Sequence, residues 1–289
     1  MVGNASLQEI VHKIKQHYPA MTRSLQLFAD FVIAEPVTVA RTSIHSAVRA
    51  AGVSTATANR FVRVVGYKNY ATFRDSLIQS IASAYEPVHR MRSEMAKSET
   101  PDRIAMSILQ QDIDNLHETI SLIDPHAWAT AVQMIARAHR IFVVSFDNGA
   151  SLAQILANGL LRIKTDVHCI ANGGGGFNGV RHIVNMTAPD LVIAIAFPRY
   201  IKDTIRLATL AKDKGLPVLG ITDTHRSPLA SVCNTNLYVS VKRQFASVSN
   251  AAVLSLVEAL LGSVLHSTPE AVERAQLFTE DALPWMENP

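Results

Sequence analysis

The 289-residue chain is poor in several features that would assign a protein to a class. Its only two cysteines, Cys169 and Cys233, stand far apart and outside any CxxC motif or His/Cys cluster. This excludes a disulfide-stapled fold and predicts two buried thiols. No stretch reaches the roughly 18–20 uninterrupted apolar residues that span a bilayer. The first ten residues lack a basic segment followed by an apolar one, so we expect no signal peptide, no membrane partner and a cytoplasmic location.

Sequence signatures of common catalytic sites are also missing. The chain contains no phosphate-binding GxxxxGK[ST] loop, no zinc-protease HExxH and no nucleophile-bearing GxSxG. Each of these motifs places specific groups around a phosphate, a metal or an acyl carbon. We therefore predict a protein that is not an enzyme, with no catalytic residues, no metal site and no cofactor.

The charge of the chain is unevenly distributed. Residues 1–90 hold ten Lys/Arg against five Asp/Glu, a net charge of +5, whereas residues 91–289 hold seventeen against nineteen, a net charge of −2. A basic front and a mildly acidic back indicate that only the front meets a polyanion.

Residues 43–65, SIHSAVRAAGVSTATANRFVRVV, predict a helix-turn-helix. Two short amphipathic helices meet at residues 51–53, where Gly52 permits the tight turn. The small side chain of Ala47 in the first helix lets the two helices approach, and Ser54 is suited to cap the second helix. This geometry projects the start of the second helix outward, where it can enter a major groove of double-stranded DNA.

The residues predicted to face DNA are polar or basic, because hydroxyl, amide and guanidinium groups reach base edges or phosphates. They are Ser43, Ser54, Thr55, Thr57, Asn59, Arg60, Arg63 and Lys68. The alternative is an ordinary helical hairpin whose charged face is merely solvated.

From residue 141 onward, short apolar runs alternate with helical stretches. The runs are IFVVSF (141–146), VHCI (167–170), LVIAIAF (191–197), VLGIT (218–222) and LYVSV (237–241). Strands that are apolar on both faces and are followed by helices predict a parallel sheet covered on both sides. Ligands bind beyond the carboxyl ends of such strands, so the loops that follow these runs are the candidate site.

The N-terminal pattern resembles that of the RpiR/MurR family of bacterial transcriptional regulators. The match spans about residues 20–80 and rests on the helix before Pro36, the AGVS turn at 51–54, and the pairs RF (60–61) and GY (66–67). The back of the chain resembles the sugar isomerase (SIS) domain that follows in that family. The resemblance implies a DNA-binding regulator that senses a small molecule, often a phosphorylated sugar, and that forms a homodimer or homotetramer.

The resemblance also implies the fold class. We predict an all-α helix-turn-helix domain over residues 1–85 and a linker with a helix over 86–124. A three-layer α/β SIS domain with a five-stranded parallel sheet follows over 125–270, and a tail over 271–289.

In SIS domains, the loop after the first strand feeds a helix N-terminus that suits an anion. The resemblance places Gly149 where a ligand-binding serine is frequent, with Asn148 and Ser151 as the nearest substitutes, whereas Asp147 would repel a phosphate. The serine-rich turn after the third strand is replaced here by FPRY (197–200), with a threonine in the expected position at 204. The predicted effector-binding residues are Ser145, Asn148, Gly149, Ser151, Pro198, Arg199, Tyr200 and Thr204.

Arg199 can replace the lost serines by gripping a carboxylate or phosphate, or it can form a salt bridge at the surface. We therefore expect the effector to be a sugar phosphate, or equally a sugar acid or another small carboxylate. Lys242, Arg243 and Ser247 either complete this pocket or form a solvated cluster. The glycine run at 173–176 is interpreted as a mobile loop rather than a ligand contact.

Two other functions stay open. An SIS-type sugar-phosphate isomerase with a helical oligomerisation domain would need a poised base, and the proposed ligand loops offer only the carboxylates of Asp147 and Asp223. A sugar-binding adaptor that regulates another protein is the third possibility.

Overall fold

A computed structural model describes residues 7–96, 99–171, 175–246 and 248–286 of the chain. The chain divides into two compact units after Ala96. Part of the glycine run, Gly173 and Gly174, and the pocket candidate Ser247 lie outside the described residues.

The N-terminal unit consists of helices packed around an aromatic core. The helices are α1 (Leu7–His17), α2 (Arg23–Ala34), α3 (Pro36–Arg41), α4 (Ile44–Ala51), α5 (Thr55–Val64) and α6 (Tyr70–Met95). Phe28, Phe61 and Phe73 are fully buried, and Phe61 meets the other two rings edge to face, with centroids 5.2 and 5.8 Å away. Each such pair contributes about 0.5–1.5 kcal/mol beyond area burial, so α5 is held from behind by α2 and α6.

The predicted helix-turn-helix is confirmed. Helix α4 ends at Ala51 and is followed by its cap Gly52, which adopts the left-handed φ of +67°. The Ser54 hydroxyl accepts a hydrogen bond from the Thr57 N–H and caps α5. Ala47 is fully buried, as expected for a small residue between closely packed helices.

The ends of two helices differ from the sequence prediction at prolines. Pro36 does stop α2, which ends at Ala34, but it also opens the short helix α3, because proline is well suited to the first turn. Helix α6 does not end at residue 85, the predicted boundary of the first domain, but runs through Pro87 to Met95. A proline in a helix interior removes one N–H donor and costs about 3 kcal/mol, whereas most of the residues that follow it, including Met91, Arg92 and Glu94, favour a helix.

The C-terminal unit contains the predicted parallel sheet. Its strands are β1 (Ile141–Val144), β2 (Val167–Ile170), β3 (Leu191–Ile195), β4 (Val218–Thr222) and β5 (Thr235–Tyr238). They pair in the order β2-β1-β3-β4-β5, all parallel. Strands β1, β3 and β4 are buried along their whole length, while the edge strands β2 and β5 are partly exposed.

Helices cover both faces of this sheet. They are α7 (Pro101–Ser121), α8 (Pro125–Arg137), α9 (Ala150–Leu160), α10 (Gly175–Val184), α11 (Lys202–Asp213), α12 (Ala251–His266) and α13 (Glu270–Ala282). One apolar cluster joins the sheet to α8, α9 and α12, and a second joins it to α10 and α11 on the other face. The fold is therefore a helical unit followed by a three-layer α/β unit.

Two details of this unit differ from the sequence interpretation. The last strand covers 235–238 rather than 237–241, so the described residues 239–246 and 248–250 belong to a long connection before α12. The segment predicted as a tail contains helix α13, which is anchored where the Arg274 guanidinium donates to the Ile163 carbonyl at 2.6 Å. Within the described ranges, no single helix is long and apolar enough to span a membrane; Ala251–His266 and Glu270–Trp285 pass that test only jointly, across a bend of 108°.

Two glycines without close neighbours allow the turn of the helix-turn-helix to be tested. A Cβ at Gly52 or at Gly262 of α12 would meet no atom within 4 Å, and only Gly52 has a positive φ. We expect Gly52→Ala to destabilise the N-terminal unit by roughly 1–2 kcal/mol, since L-residues are strained there. Gly262→Ala should stabilise α12 by about 0.5–1 kcal/mol, because alanine favours a helix. Hydrogen-exchange protection of each unit measures both, and equal effects would contradict this account.

Candidate functional site

The predicted DNA-facing residues all lie at the surface of the N-terminal unit. Five of them are exposed and three, on α5, are half-buried. The exposed residues are Ser43, Ser54, Arg60, Arg63 and Lys68, and the half-buried ones are Thr55, Thr57 and Asn59. Because α5 buries Ala58, Phe61 and Val62, its opposite side is available to a duplex.

Several of the predicted hydroxyls are engaged in building the helix starts. The Ser54 hydroxyl lies 3.1 Å from the Thr57 N–H and 2.9 Å from the Thr57 hydroxyl. The Ser43 hydroxyl likewise accepts from the Ser46 N–H at 3.3 Å and lies 3.2 Å from its hydroxyl. These groups satisfy the orphan N–H donors of α4 and α5, so they hold the helices in place before any DNA is bound.

This unit carries a stretch without a single acidic residue. Between Glu35 and Asp75 the sequence contains six Lys/Arg and no Asp or Glu; they are Arg41, Arg49, Arg60, Arg63, Lys68 and Arg74. Arg49, Arg60, Arg63 and Lys68 form no ion pair with any residue that the structure describes. Unneutralised basic groups around α5 produce the positive potential that attracts a phosphate backbone.

Helix α5 also ends in a defined way. Gly66 has a φ of +88°, its N–H donates to the Arg63 carbonyl, and the Tyr67 N–H donates to the Val62 carbonyl. This pair of bonds is the Schellman arrangement. It turns the chain sharply away from α5, and Lys68 stands exposed just beyond that turn.

The C-terminal unit has an open cleft at the carboxyl ends of β1 and β3. Strand β2 pairs with one side of β1, while β3, β4 and β5 follow on the other. The strand order therefore reverses between β1 and β3, which is where open parallel sheets bind ligands. Six of the eight predicted effector residues line this cleft: Ser145, Asn148, Gly149, Pro198, Arg199 and Thr204.

The floor of the cleft is formed by Ser145 and Gly149. Ser145 is buried, and its hydroxyl donates to the Ile195 carbonyl at 2.8 Å, which ties the end of β1 to the end of β3. A Cβ on Gly149 would lie only 2.1 Å from the Ser145 Oγ. The glycine is therefore required by the buried serine, and the serine proton is committed to a backbone carbonyl.

An ion pair lies at the rim of the cleft. Arg199 Nη1 is 3.7 Å from Asp147 Oδ2, and both side chains are about half exposed. At this exposure the pair contributes little stability, so a ligand acid group can compete for the guanidinium. Asp147, Arg199 and Tyr200 are the non-glycine residues with positive φ among the described residues, at +57°, +90° and +31°. Such backbone strain concentrates at functional sites.

Ser151 and Tyr200 do not line the cleft, contrary to the sequence prediction. Ser151 is exposed in the first turn of α9. The Tyr200 hydroxyl donates to Asp223, at 2.9 and 3.1 Å from its two oxygens. Burial and the neighbouring Asp223 carboxylate raise the pKa of Tyr200 well above its ordinary value. Tyr200 thus fastens the loop that carries Arg199.

Six apolar residues that line the cleft are absent from the predicted set. They are Phe146, Ile195, Ala196, Phe197, Ile201 and Val248, and nothing distinguishes them in sequence from core residues. Val248 comes from the loop after β5, which the sequence placed at the same edge of the sheet.

The same loop is held by α7 through polar contacts. The Asn115 amide, buried, donates to the Lys242 carbonyl at 2.8 Å and accepts from the Lys242 N–H at 3.1 Å. The Lys242 ammonium lies 2.8 Å from the Glu118 carboxylate. The hydrogen bonds that Lys242 and Ser240 donate to this carboxylate lower the pKa of Glu118. Lys242 is therefore part of a junction with α7 and does not line the cleft.

Asp112 of α7 forms the second part of this junction. Its carboxylate pairs with Arg243 at 3.2 Å and accepts from the Ser249 hydroxyl at 2.5 Å. Val248, next to Ser249, lines the cleft. Helix α7, which follows the N-terminal unit along the chain, thus contacts the loop that forms one wall of the cleft.

Among the described residues, no cluster of three or more His, Cys, Asp or Glu side chains is arranged to hold a metal ion. The described cysteines, Cys169 and Cys233, are not bonded to each other and are partly buried. Burial raises the pKa of both thiols, that of Cys233 to about 12, which leaves them protonated and poorly nucleophilic near neutral pH.

Comparison with known families assigns both units. The helix-turn-helix domain of the rpiR family matches residues 8–84, and the SIS domain matches residues 134–263. The HTH-type transcriptional regulator HexR of Pseudomonas aeruginosa is 26% identical over 225 residues, which cover 78% of this chain and 76% of that protein.

Solved structures agree with this assignment. The sugar isomerase domain of an RpiR transcription factor from Sphaerobacter thermophilus has a TM-score of 0.59 at 26% identity and covers 62% of this chain and 99% of that one. The NanR protein of Vibrio vulnificus, solved with ManNAc-6P, shares the fold at 24% identity and a TM-score of 0.58, covering 96% of this chain and 100% of that one. Some other neighbours of the SIS unit are named as sugar-phosphate or phosphosugar isomerases. The chain therefore belongs to the rpiR family and is a DNA-binding transcriptional regulator with an SIS domain.

Proposed function

We propose that this regulator is controlled by a small polyhydroxylated compound with one acid group, a sugar phosphate or sugar acid, bound in the cleft between β1 and β3. The observation that carries the proposal is the pairing of Arg199 with Asp147 at the rim of a cleft whose floor is the Ser145 hydroxyl. Residues 1–85 would bind the operator and residues 125–270 the effector.

The chemistry of the cleft favours this ligand class. The Ser145 proton is donated to Ile195, so its oxygen offers only lone pairs to the cleft and accepts hydrogen bonds from ligand hydroxyls. Asp147 also accepts. Arg199 is the cation that can take an acid group, as a charge-assisted pair. The complex of NanR with ManNAc-6P supports a sugar carrying an anion, in a relative that shares this fold.

A homodimer or homotetramer is part of the proposal. A single recognition helix reads only a few base pairs, and helix-turn-helix proteins reach useful affinity by reading two half-sites about one helical turn apart. Effector binding changes DNA affinity only if the ligand prefers one arrangement of the two reading helices. An operator on the bacterial chromosome would place this action in the cytoplasm.

We propose no catalysis for the cleft. Sugar isomerisation needs a base beside the carbonyl, and each candidate carboxylate already has a partner: Asp147 faces Arg199, and Asp223 accepts from Tyr200. The isomerase names among solved SIS neighbours make turnover of aldose or ketose phosphates the direct test of the alternative. Measurable isomerisation by the purified chain would overturn our proposal.

The role of α5 in DNA binding is tested by removing one basic side chain. Arg60→Ala should weaken binding to the operator about 5- to 150-fold if Arg60 contacts a base. Arg137→Ala is the matched control, since Arg137 is exposed at the end of α8 in the other unit and should change little. Gel-shift titration over a range of salt measures both, and affinity should fall steeply with salt as counterions are released. Unchanged affinity of the Arg60 variant would remove that residue from the interface.

The role of Arg199 is tested by thermal-shift screening of sugar phosphates and sugar acids. A ligand at 100 times its Kd stabilises the protein by about 2.7 kcal/mol. Arg199→Ala should weaken binding roughly 10- to 100-fold, because a charge-assisted hydrogen bond is lost. Arg226→Ala, an exposed arginine beyond β4, should keep full stabilisation. If both variants respond like the natural chain, Arg199 is not the anchor of the acid group.

The floor of the cleft provides a two-residue test. Gly149→Ala should destabilise the C-terminal unit by about 1–3 kcal/mol, since overpacking forces the buried Ser145 to move. Adding Ser145→Ala in the same chain removes the obstructing hydroxyl, so the two changes together should cost less than the sum of the two single changes. Thermal unfolding of the single and double variants measures the coupling, and simple additivity would contradict the contact between the two residues.

A further inference from the structure

The outermost line of helix α5 is formed by three residues, which we call the recognition ridge: Ala56, Arg60 and Arg63. All three are exposed, and their spacing of four and three residues puts them on one side of the helix. Thr55 and Asn59, both half-buried, form the adjacent line. Because these residues are the ones most exposed on that side of α5, they would enter a major groove more deeply than the rest of the helix.

The leading end of this ridge is apolar. Ala56 is flanked by Ser54 and Thr57, whose hydroxyls are joined to each other at 2.9 Å and cap the helix. The first turn of α5 contains no acidic residue, although carboxylates are favoured at exposed helix N-termini. The foremost group that the ridge offers to a base pair is therefore the methyl group of Ala56.

A methyl group has one specific partner in the major groove. Each base pair presents hydrogen-bond donors and acceptors there, and the apolar group among them is the C5-methyl of thymine. Arg60, one turn further along the ridge and without an ion pair in the described part of the chain, has a free guanidinium for guanine or phosphate. The ridge thus combines an apolar end with a cationic middle.

We infer that Ala56 is a specificity-determining residue, whose methyl group contacts the C5-methyl of a thymine in each operator half-site, ahead of the base or phosphate that Arg60 contacts. This inference rests on the DNA-binding function of the chain and adds a residue that the polar pattern of the sequence does not single out. It makes no use of the effector cleft.

The test begins with selection of bound duplexes from a random-sequence library by the natural chain. In the selected site, each thymine is then replaced singly by deoxyuridine, which lacks only the methyl group. At one position in each half-site, a single replacement should weaken binding about fourfold, which is the effect of one buried methyl-sized group. Replacement of thymines outside the half-sites should change nothing.

The variant Ala56→Gly completes a double-mutant cycle. It should bind the thymine site about as weakly as the natural chain binds a duplex with deoxyuridine at that position in both half-sites, and it should no longer distinguish these two duplexes. Ala50→Gly is the matched control, because Ala50 is an exposed alanine on α4 and loses the same helix preference; it should keep its sensitivity to deoxyuridine. If the glycine variant proves unstable, Ala56→Ser keeps the helix and should lose the preference for thymine.

The outcomes separate this inference from the function on which it rests. A selected motif with no methyl-sensitive thymine, or an Ala56→Gly variant that still distinguishes deoxyuridine from thymine, overturns the role of Ala56 and leaves the regulator intact. Failure to select any motif overturns sequence-specific binding itself, and Ala56 with it.

Discussion

The reversal of strand order between β1 and β3 is the constraint on which the C-terminal unit depends. Helix α9, after β1, packs on one face of the sheet, and α11, after β3, packs on the other, so the two connections diverge and leave a crevice at the carboxyl edge. The Ser145 hydroxyl spans the gap by bonding the Ile195 carbonyl, and Gly149 leaves room for it. Arg199 and Asp147 lie at the rim of a cleft because the two connections diverge in this way.

A second constraint connects that cleft to the rest of the chain. The loop after β5 supplies Val248 to the cleft and is held against α7 by Asn115 and Asp112. These contacts are directional hydrogen bonds among partly or fully buried groups, so they specify one register between the helix and the loop. Helix α7 is the first helix of the C-terminal unit, so these contacts join the start of that unit to the loop that lines the cleft.

The helix-turn-helix could be predicted in detail because its determinants are local. The left-handed turn at Gly52, the cap at Ser54 and the burial of Ala47 each depend on residues a few positions away. The cleft was harder. Strand ends and helix starts located its loops, yet the Tyr200 hydroxyl donates to Asp223 and Tyr200 does not line the cleft. Neighbours on different strands decide where such a side chain points.

The sequence by itself determined the two units, the parallel sheet and the basic helix α5, since hydrophobic period, turn residues and charge all act over short distances. Only the tertiary structure decided which polar side chains are already engaged in hydrogen bonds or ion pairs within the protein. It assigned the Ser145 proton to a carbonyl fifty residues away, Lys242 and Arg243 to α7, and the exposed line of α5 to Ala56, Arg60 and Arg63. The physical reason is that a hydrogen bond or ion pair is specified by distance in space, which the order of residues along the chain does not encode.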